Sequence, residues 1–322
     1  MFILPKTKVE KTKRYTLNEV QAVQEYHDTY APTLYQELDV FHQFNGFEKR
    51  KIIFHLPTFT MKIKKNLMGL YVGSVKTQGK TMTFLIDTGA QISGILKKSV
   101  SDLEVQPIEQ VVHVGSIGGR SKQASCVTIS KLFFGAVEIQ NQPLVLLDDK
   151  DFSIPYVNIK VMKFDGIIGW DILRNFDFEI DDVHSTFSLL RQQEDFFIKN
   201  FIPSSFPCVC LLDQNHKPAI FGFDSGAKES WLGENYVNRS NLDVDIEQKA
   251  YGMGVLGMES MDLSIIHTLD LYLYDSKISL QKIMTGRVDM FKNLEIAGVL
   301  GNKIFRNKKI QIFPSKQYIR IV

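Results

Sequence analysis

The chain repeats itself. Asp-Thr-Gly-Ala at residues 87–90 returns as Asp-Ser-Gly-Ala at residues 224–227, and an apolar pair followed by glycine comes after each: Ile167-Ile168-Gly169 and Val299-Leu300-Gly301. From Asp87 to Gly169 is 82 residues, and from Asp224 to Gly301 is 77. The downstream blocks align without a gap, DGIIGWDILRN (Asp165–Asn175) over AGVLGNKIFRN (Ala297–Asn307). Gly166/Gly298, Gly169/Gly301, Ile172/Ile304, Arg174/Arg306 and Asn175/Asn307 are identical. The same landmarks in the same order at similar spacing imply a duplicated unit. The chain must therefore fold as two similar lobes, here bounded as residues 67–193 and 194–322 with the junction near Arg191–Phe206.

The repeat reads as β-structure. GLYVGSV, TQGK and TMTFLID form a hairpin pattern ending at Asp87, and short β-branched or aromatic runs continue to Val322: CVTISKLFF, VEIQNQPLVLL, FSLLR, CVCLLD, TLDLYLY, KIQIF and YIRIV. Residues 1–66 differ. They carry 11 Lys and Arg against 7 Asp and Glu, a net +4, which leaves −2 for the rest of a chain whose total is +2. Thr16 and Glu19 fit a capping box ahead of Leu17, Val20, Val23 and Tyr26 at helical spacing. A second helix is expected from Pro32 to Gly46, with Leu34, Leu38 and Phe41 inward. The fold class expected is mostly β, two pseudo-symmetric lobes preceded by an N-terminal helical segment.

Composition removes several classes of function. With 38 basic against 36 acidic residues there is no general electrostatic reason to expect nucleic acid or an anionic membrane as partner. No run approaches the ~18 apolar residues of a membrane span. The chain opens with apolar residues before its charges and no h-region after them, unlike a secretory signal. Three cysteines, Cys126, Cys208 and Cys210, are an odd number unlike a disulfide framework. A cytoplasmic protein is expected. The seven His show no H-x-x-x-H spacing, so no zinc site is expected. Cys208-Val-Cys210 reads as a buried pair rather than a metal clip. No metal or organic cofactor is implied.

Asp-[Thr/Ser]-Gly is common by chance, but in both copies an apolar run precedes it as a strand would. Gly then allows a close turn, and the small Ala leaves room for another backbone or carboxylate. At these residues the chain resembles the aspartic protease superfamily, over residues 67–322. The Asp-Thr-Gly-Ala spelling is similar to retropepsins and the single bilobal chain to pepsin. The resemblance implies β-barrel lobes that each supply one Asp, with Asp87 and Asp224 as the catalytic pair. Thr88 and Ser225 would lock the two loops together, with Gly89 and Gly226 beside them. Peptide hydrolysis needs a base to activate water and an acid for the carbonyl oxygen or leaving amine. Two close carboxyls sharing one proton supply both. The competing reading is two turn residues in β-hairpins.

Gly252-Met-Gly254-Val-Leu-Gly257 spells the dinucleotide fingerprint, yet MESMDLSII after it reads as strand and no βαβ unit surrounds it. A hairpin tip is the alternative, with Gly115, Gly118 and Gly119 in the corresponding place of the first lobe. By resemblance both are flaps over the substrate; otherwise they are ordinary tight turns. Gln91 and Lys228 follow the two Asp motifs, as substrate contacts by resemblance or as part of the solvated surface. Trp170 is expected in the core or lining a subsite. The function expected is an aspartic endopeptidase acting on an extended peptide or protein, monomer-competent because both Asp residues lie on one chain. The alternative is an inactive peptide-binding or sensing module on the same fold. Residues 1–66 are expected as a prosegment, with Lys62, Lys64 and Lys65 reaching the Asp pair, or as a helical cap on the outside of a lobe or a docking site for a partner protein.

Overall fold

The computed structural model describes residues 5–36, 47–115, 121–152, 163–191, 195–254, 257–286, 291 and 294–322. The N-terminal stretch contributes β1 (Lys6–Lys11), helix α1 (Leu17–Gln36), β2 (Lys51–Phe54), β3 (Phe59–Lys62) and β4 (Lys64–Lys65). The first repeat follows as β5 (Tyr71–Thr77), β6 (Lys80–Ile86), β7 (Gly94–Leu96), β8 (Gln106–Gly115), β9 (Ser121–Phe134), β10 (Val137–Leu147), β11 (Gly166–Ile168), β12 (Phe178–Asp181) and β13 (Thr186–Leu189). After β14 (Phe201–Pro203), the second gives β15 (Pro207–Leu212), β16 (Pro218–Asp224), β17 (Trp231–Gly233), β18 (Val244–Gly254) and β19 (Gly257–Leu273). It ends with β20 (Ser276–Gly286), β21 (Gly298–Gly301), β22 (Lys309–Phe313) and β23 (Tyr318–Ile321).

The two main sheets have the same topology. One runs β2-β10-β7-β11-β6-β5-β9-β8 and the other β1-β20-β17-β21-β16-β15-β19-β18. In each the ring closes, through β10 on β9 and through β20 on β19, so six strands form a barrel in both lobes. Closure satisfies strand edges that would otherwise be exposed. The strand before each Asp lies parallel to the strand carrying the downstream landmark: Ile86 pairs with Ile168 and Asp224 with Gly301. The eighty-residue spacing of the repeat is thus the length of chain needed to return to the neighbouring strand. The β5–β6 hairpin turns on Gln78 (φ 47°) and Gly79 (φ 75°), the paired positive φ angles of a two-residue primed turn.

A third sheet, β23-β22-β12-β13-β3, joins the lobes, with β12 antiparallel to β22 from Phe178↔Ile312 to Asp181↔Lys309. Phe178 and Phe187 stack beneath it with centroids 5.2 Å apart. Trp170 is fully buried, meets Phe201 edge-on at 5.9 Å and donates its indole N–H to Ser204 O at 2.8 Å. It is core, packed where one repeat meets the other.

Among its described residues the N-terminal stretch carries the first expected helix but not the second. The capping box forms, with Thr16 N–H donating to Glu19 Oε2 at 2.7 Å and Glu19 N–H to Thr16 Oγ1 at 3.3 Å. The second helix does not begin at Pro32. That residue lies inside α1, and residues 37–46, with Leu38 and Phe41, fall outside the described residues. The buried stripe is Val23, His27, Ala31 and Leu34, whereas Leu17 is exposed. It packs on Ile198, Ile202, Phe206 and Ile220 of the second lobe. Four described strands accompany the helix: β1 pairs with β20, β2 with β10, β3 with β13 and β4 with β5. Alternation in KTKVEK and KIIF is too short and too charged to stand out, so pairing with existing barrels decides their conformation.

Trp170→Ala is expected to destabilise the chain by about 3–5 kcal/mol, the cost of a cavity left by a buried indole. Urea unfolding monitored by circular dichroism measures it.

Candidate active site

Asp224 ends β16 and Asp87 follows β6 directly, so both motifs leave the central strands of their barrels at the same point. Asp87 Oδ1 accepts the N–H groups of Gly89 (2.8 Å) and Ala90 (3.0 Å). Asp224 Oδ1 accepts those of Gly226 (2.7 Å) and Ala227 (3.1 Å). Each carboxyl is thus tethered by its own turn, leaving the other oxygen free.

The turns interlock. Thr88 N–H donates to Ser225 Oγ (3.0 Å) and Ser225 N–H to Thr88 Oγ1 (2.9 Å). The hydroxyls in turn donate across the interface, Thr88 Oγ1 to Phe223 O (3.0 Å) and Ser225 Oγ to Ile86 O (2.9 Å). Both residues are completely buried. Serine or threonine is required because one side-chain atom must accept a backbone N–H and donate to a carbonyl at once.

This lattice brings the two carboxyls against one another. The glycines show how closely. A Cβ on Gly89 would collide with the Asp224 carboxyl, and one on Gly226 with the Asp87 carboxyl. Both positions must be glycine for the two side chains to meet. Burial raises both Asp values above the usual carboxylate range, and Asp224 is pushed further up by the charge of Asp87. A pair so placed holds one proton between two oxygens and can give and take protons on the same substrate.

The other expected residues fall around this centre. Gln91 O accepts the N–H of Asp171 at 3.2 Å, and Lys228 is exposed, its carbonyl accepting the N–H of Lys303 at 3.3 Å. Gly115 ends β8 opposite Ser121, while Gly118 and Gly119 lie outside the described residues. Gly252 pairs with Glu259 and Gly254 with Gly257 across β18 and β19, which occupy the same place in their sheet as β8 and β9. Gly257 opens a strand rather than a helix, so the fingerprint spelling has no dinucleotide-binding context. Lys62 and Lys65 do not reach the Asp pair. Lys62 donates to His184 O at 3.2 Å and Lys65 pairs with Asp182, held there by the pairing of β3 with β13 and of β4 with β5.

Sequence reasoning missed the polar network behind the first loop, in which buried Asp171 binds Ser93 and Gln142. The signal available was a charge reversal within the repeat, Asp171 opposite Lys303. Among the described residues no cluster of three or more His, Cys, Asp or Glu is placed to hold a metal ion, and no helix is long and apolar enough to cross a membrane.

The raised acidity constants have a thermodynamic signature. A carboxyl whose folded value lies above the ordinary ~3.9 binds more protons folded than unfolded, so stability falls as pH rises from there through the raised value. Asp224→Asn is expected to remove most of that loss and to leave the chain more stable than the parent above neutrality. Urea midpoints across pH 3–9 test this, and parallel curves for the two proteins would contradict it.

Residues 73–172 match the model of a family described as aspartyl protease, a segment holding Asp87 and Gly169 of the first repeat. No curated protein matches the chain.

Proposed function

From the match of residues 73–172 to the aspartyl protease family, we propose that this chain is an endopeptidase that cleaves extended polypeptides with Asp87 and Asp224 as its catalytic dyad. The observation that carries the reading is the mutual approach of the two carboxyls, each seated against the other turn's glycine. In the resting state one carboxyl is ionised and the other protonated. A water held between them loses a proton to the carboxylate as its oxygen attacks the scissile carbonyl carbon. The protonated carboxyl gives its proton to the carbonyl oxygen, producing a tetrahedral diol. The newly protonated carboxyl gives its proton to the amide nitrogen as the C–N bond breaks, and a hydroxyl of the diol passes its proton to the other carboxylate as the carbonyl re-forms, so the dyad ends with the one proton it began with.

The substrate lies across both lobes in extended form, beneath the hairpins β8–β9 and β18–β19. These act as paired flaps whose glycine tips permit close approach to the peptide backbone. Gln91 and Lys228 stand at equivalent points beside the dyad and differ in charge, which makes the two halves of the cleft unequal. Since both Asp residues belong to one chain, one copy completes the site. Three buried free thiols suit a reducing compartment such as the cytoplasm.

Asp87→Asn and Asp224→Asn are each expected to lower kcat on a peptide mixture by on the order of 10²–10⁴-fold. The double variant should be scarcely worse than either, because the residues act as a unit. Mass spectrometry of the digests gives the measurement. A single variant that retains full activity excludes the dyad mechanism; a parent chain that binds a transition-state mimic but cleaves nothing is an inactive binding module.

A further inference from the structure

Residues 171 and 303 occupy the same position of the repeat, directly behind the two Asp loops, and carry opposite charges. Asp171 is fully buried. Its Oδ1 accepts from Ser93 N–H (2.8 Å) and Ser93 Oγ (2.7 Å), and its Oδ2 from Gln142 Nε2 (2.8 Å). Its own N–H holds Gln91 O at 3.2 Å. This one residue therefore anchors the segment that follows the first Asp-Thr-Gly-Ala. A cation from outside the repeat pairs with it: Arg50 Nη1 lies 3.6 Å from Asp171 Oδ2 and donates to Asp171 O at 3.0 Å, and Arg174 within the repeat also acts on its charge.

Behind the second loop the arrangement is inverted. Lys303 Nζ pairs with Glu229 Oε1 at 2.6 Å and donates to Pro5 O at 3.0 Å, immediately before β1. Glu229 Oε2 is buried and without a hydrogen-bond partner among the described residues, so Lys303 carries most of the compensation for that carboxylate. The N-terminal stretch thus reaches the same repeat position in both lobes, once with a guanidinium and once with a carbonyl.

Resting on the endopeptidase reading, we propose that the N-terminal stretch is a built-in activator that holds both Asp loops in place. Arg50 acts through Asp171 on the first loop, and Lys303 acts between Pro5 and Glu229 on the second. Both are positioning residues. A buried carboxylate stripped of its cation protonates or moves toward water. At Asp171 either event weakens the grip on Ser93; at the partly exposed Glu229 the loss of the Lys303 pair frees the side chain beside Lys228. An inhibitory prosegment would instead block the dyad, whereas Lys62 and Lys65, just ahead of the first lobe, are tied to His184 and Asp182.

The test uses Arg50→Met, Arg50→Lys and Lys303→Met in the full chain, read by amide hydrogen exchange and peptide cleavage. Arg50→Met is expected to speed exchange at Gly89, Ala90 and Ser93 while Gly226 and Ala227 stay at parent rates; Lys303→Met should do the reverse. Each should lower kcat by about 10- to 100-fold, the usual cost of a catalytic group displaced by about 1 Å, with KM within about twofold. Arg50→Lys, which keeps the charge, should recover much of both losses. Unchanged exchange at the loops overturns the proposal, as does faster exchange spread evenly over both barrels, the mark of general loosening. Should Arg50→Met fail to fold, the same contrast is read from Arg50→Lys at smaller amplitude. If the parent chain cleaves no peptide, the endopeptidase reading fails, and the loop-selective exchange still decides the positioning claim.

Discussion

Four hydrogen bonds between Thr88, Ser225, Ile86 and Phe223 are the constraint from which the rest of the molecule follows. They lie out of reach of water, where each unpaired group costs on the order of 1–3 kcal/mol. Neither lobe can satisfy its own turn, because the partners belong to the other. The two lobes must therefore meet at this point, and once they do, Gly89 and Gly226 let each Asp side chain rest against the opposite turn. The raised acidity constants of the pair come from that burial and proximity.

The barrels are built to deliver those turns. In each, the strand before the Asp runs parallel to the strand of the downstream landmark, which fixes where the turn leaves the sheet. The joining sheet continues the same symmetry, setting β12 against β22. Even the outer strands match, since β1 flanks β20 as β2 flanks β10. Both of these strands come from the first sixty residues, so the N-terminal stretch adds one outer strand to each barrel.

A single chain allows its halves to diverge, and the divergence lies one layer behind the dyad. Asp171 with its hydroxyl and amide donors stands where Lys303 with its ion pair stands in the other lobe. Gln91 and Lys228 differ in the same way. The dyad and its lattice keep their symmetry because the hydrogen bonds there are reciprocal: changing one partner alone leaves a buried group unpaired in both lobes.

Much of this was legible in the residues themselves. The duplicated Asp-[Thr/Ser]-Gly-Ala and the landmark glycines mark two like units because backbone geometry at a close turn restricts residue type locally, and such restrictions are written in consecutive letters. The capping box of α1 and the Gln78-Gly79 turn are local in the same sense. The second helix proposed at Pro32 was misplaced because α1 runs through that proline, its stripe held by packing on Ile202, Phe206 and Ile220. The short strands of residues 6–11 and 51–54 were invisible because barrels elsewhere in the chain impose their conformation. Arg50 and Asp171 are 121 positions apart, and Lys303 and Pro5 are 298 apart. Composition and spacing determined that there would be two β lobes with one Asp turn each. Only the tertiary structure decided which distant charges neutralise each other behind those turns, because a buried charge selects its partner by proximity in space, which sequence order does not encode.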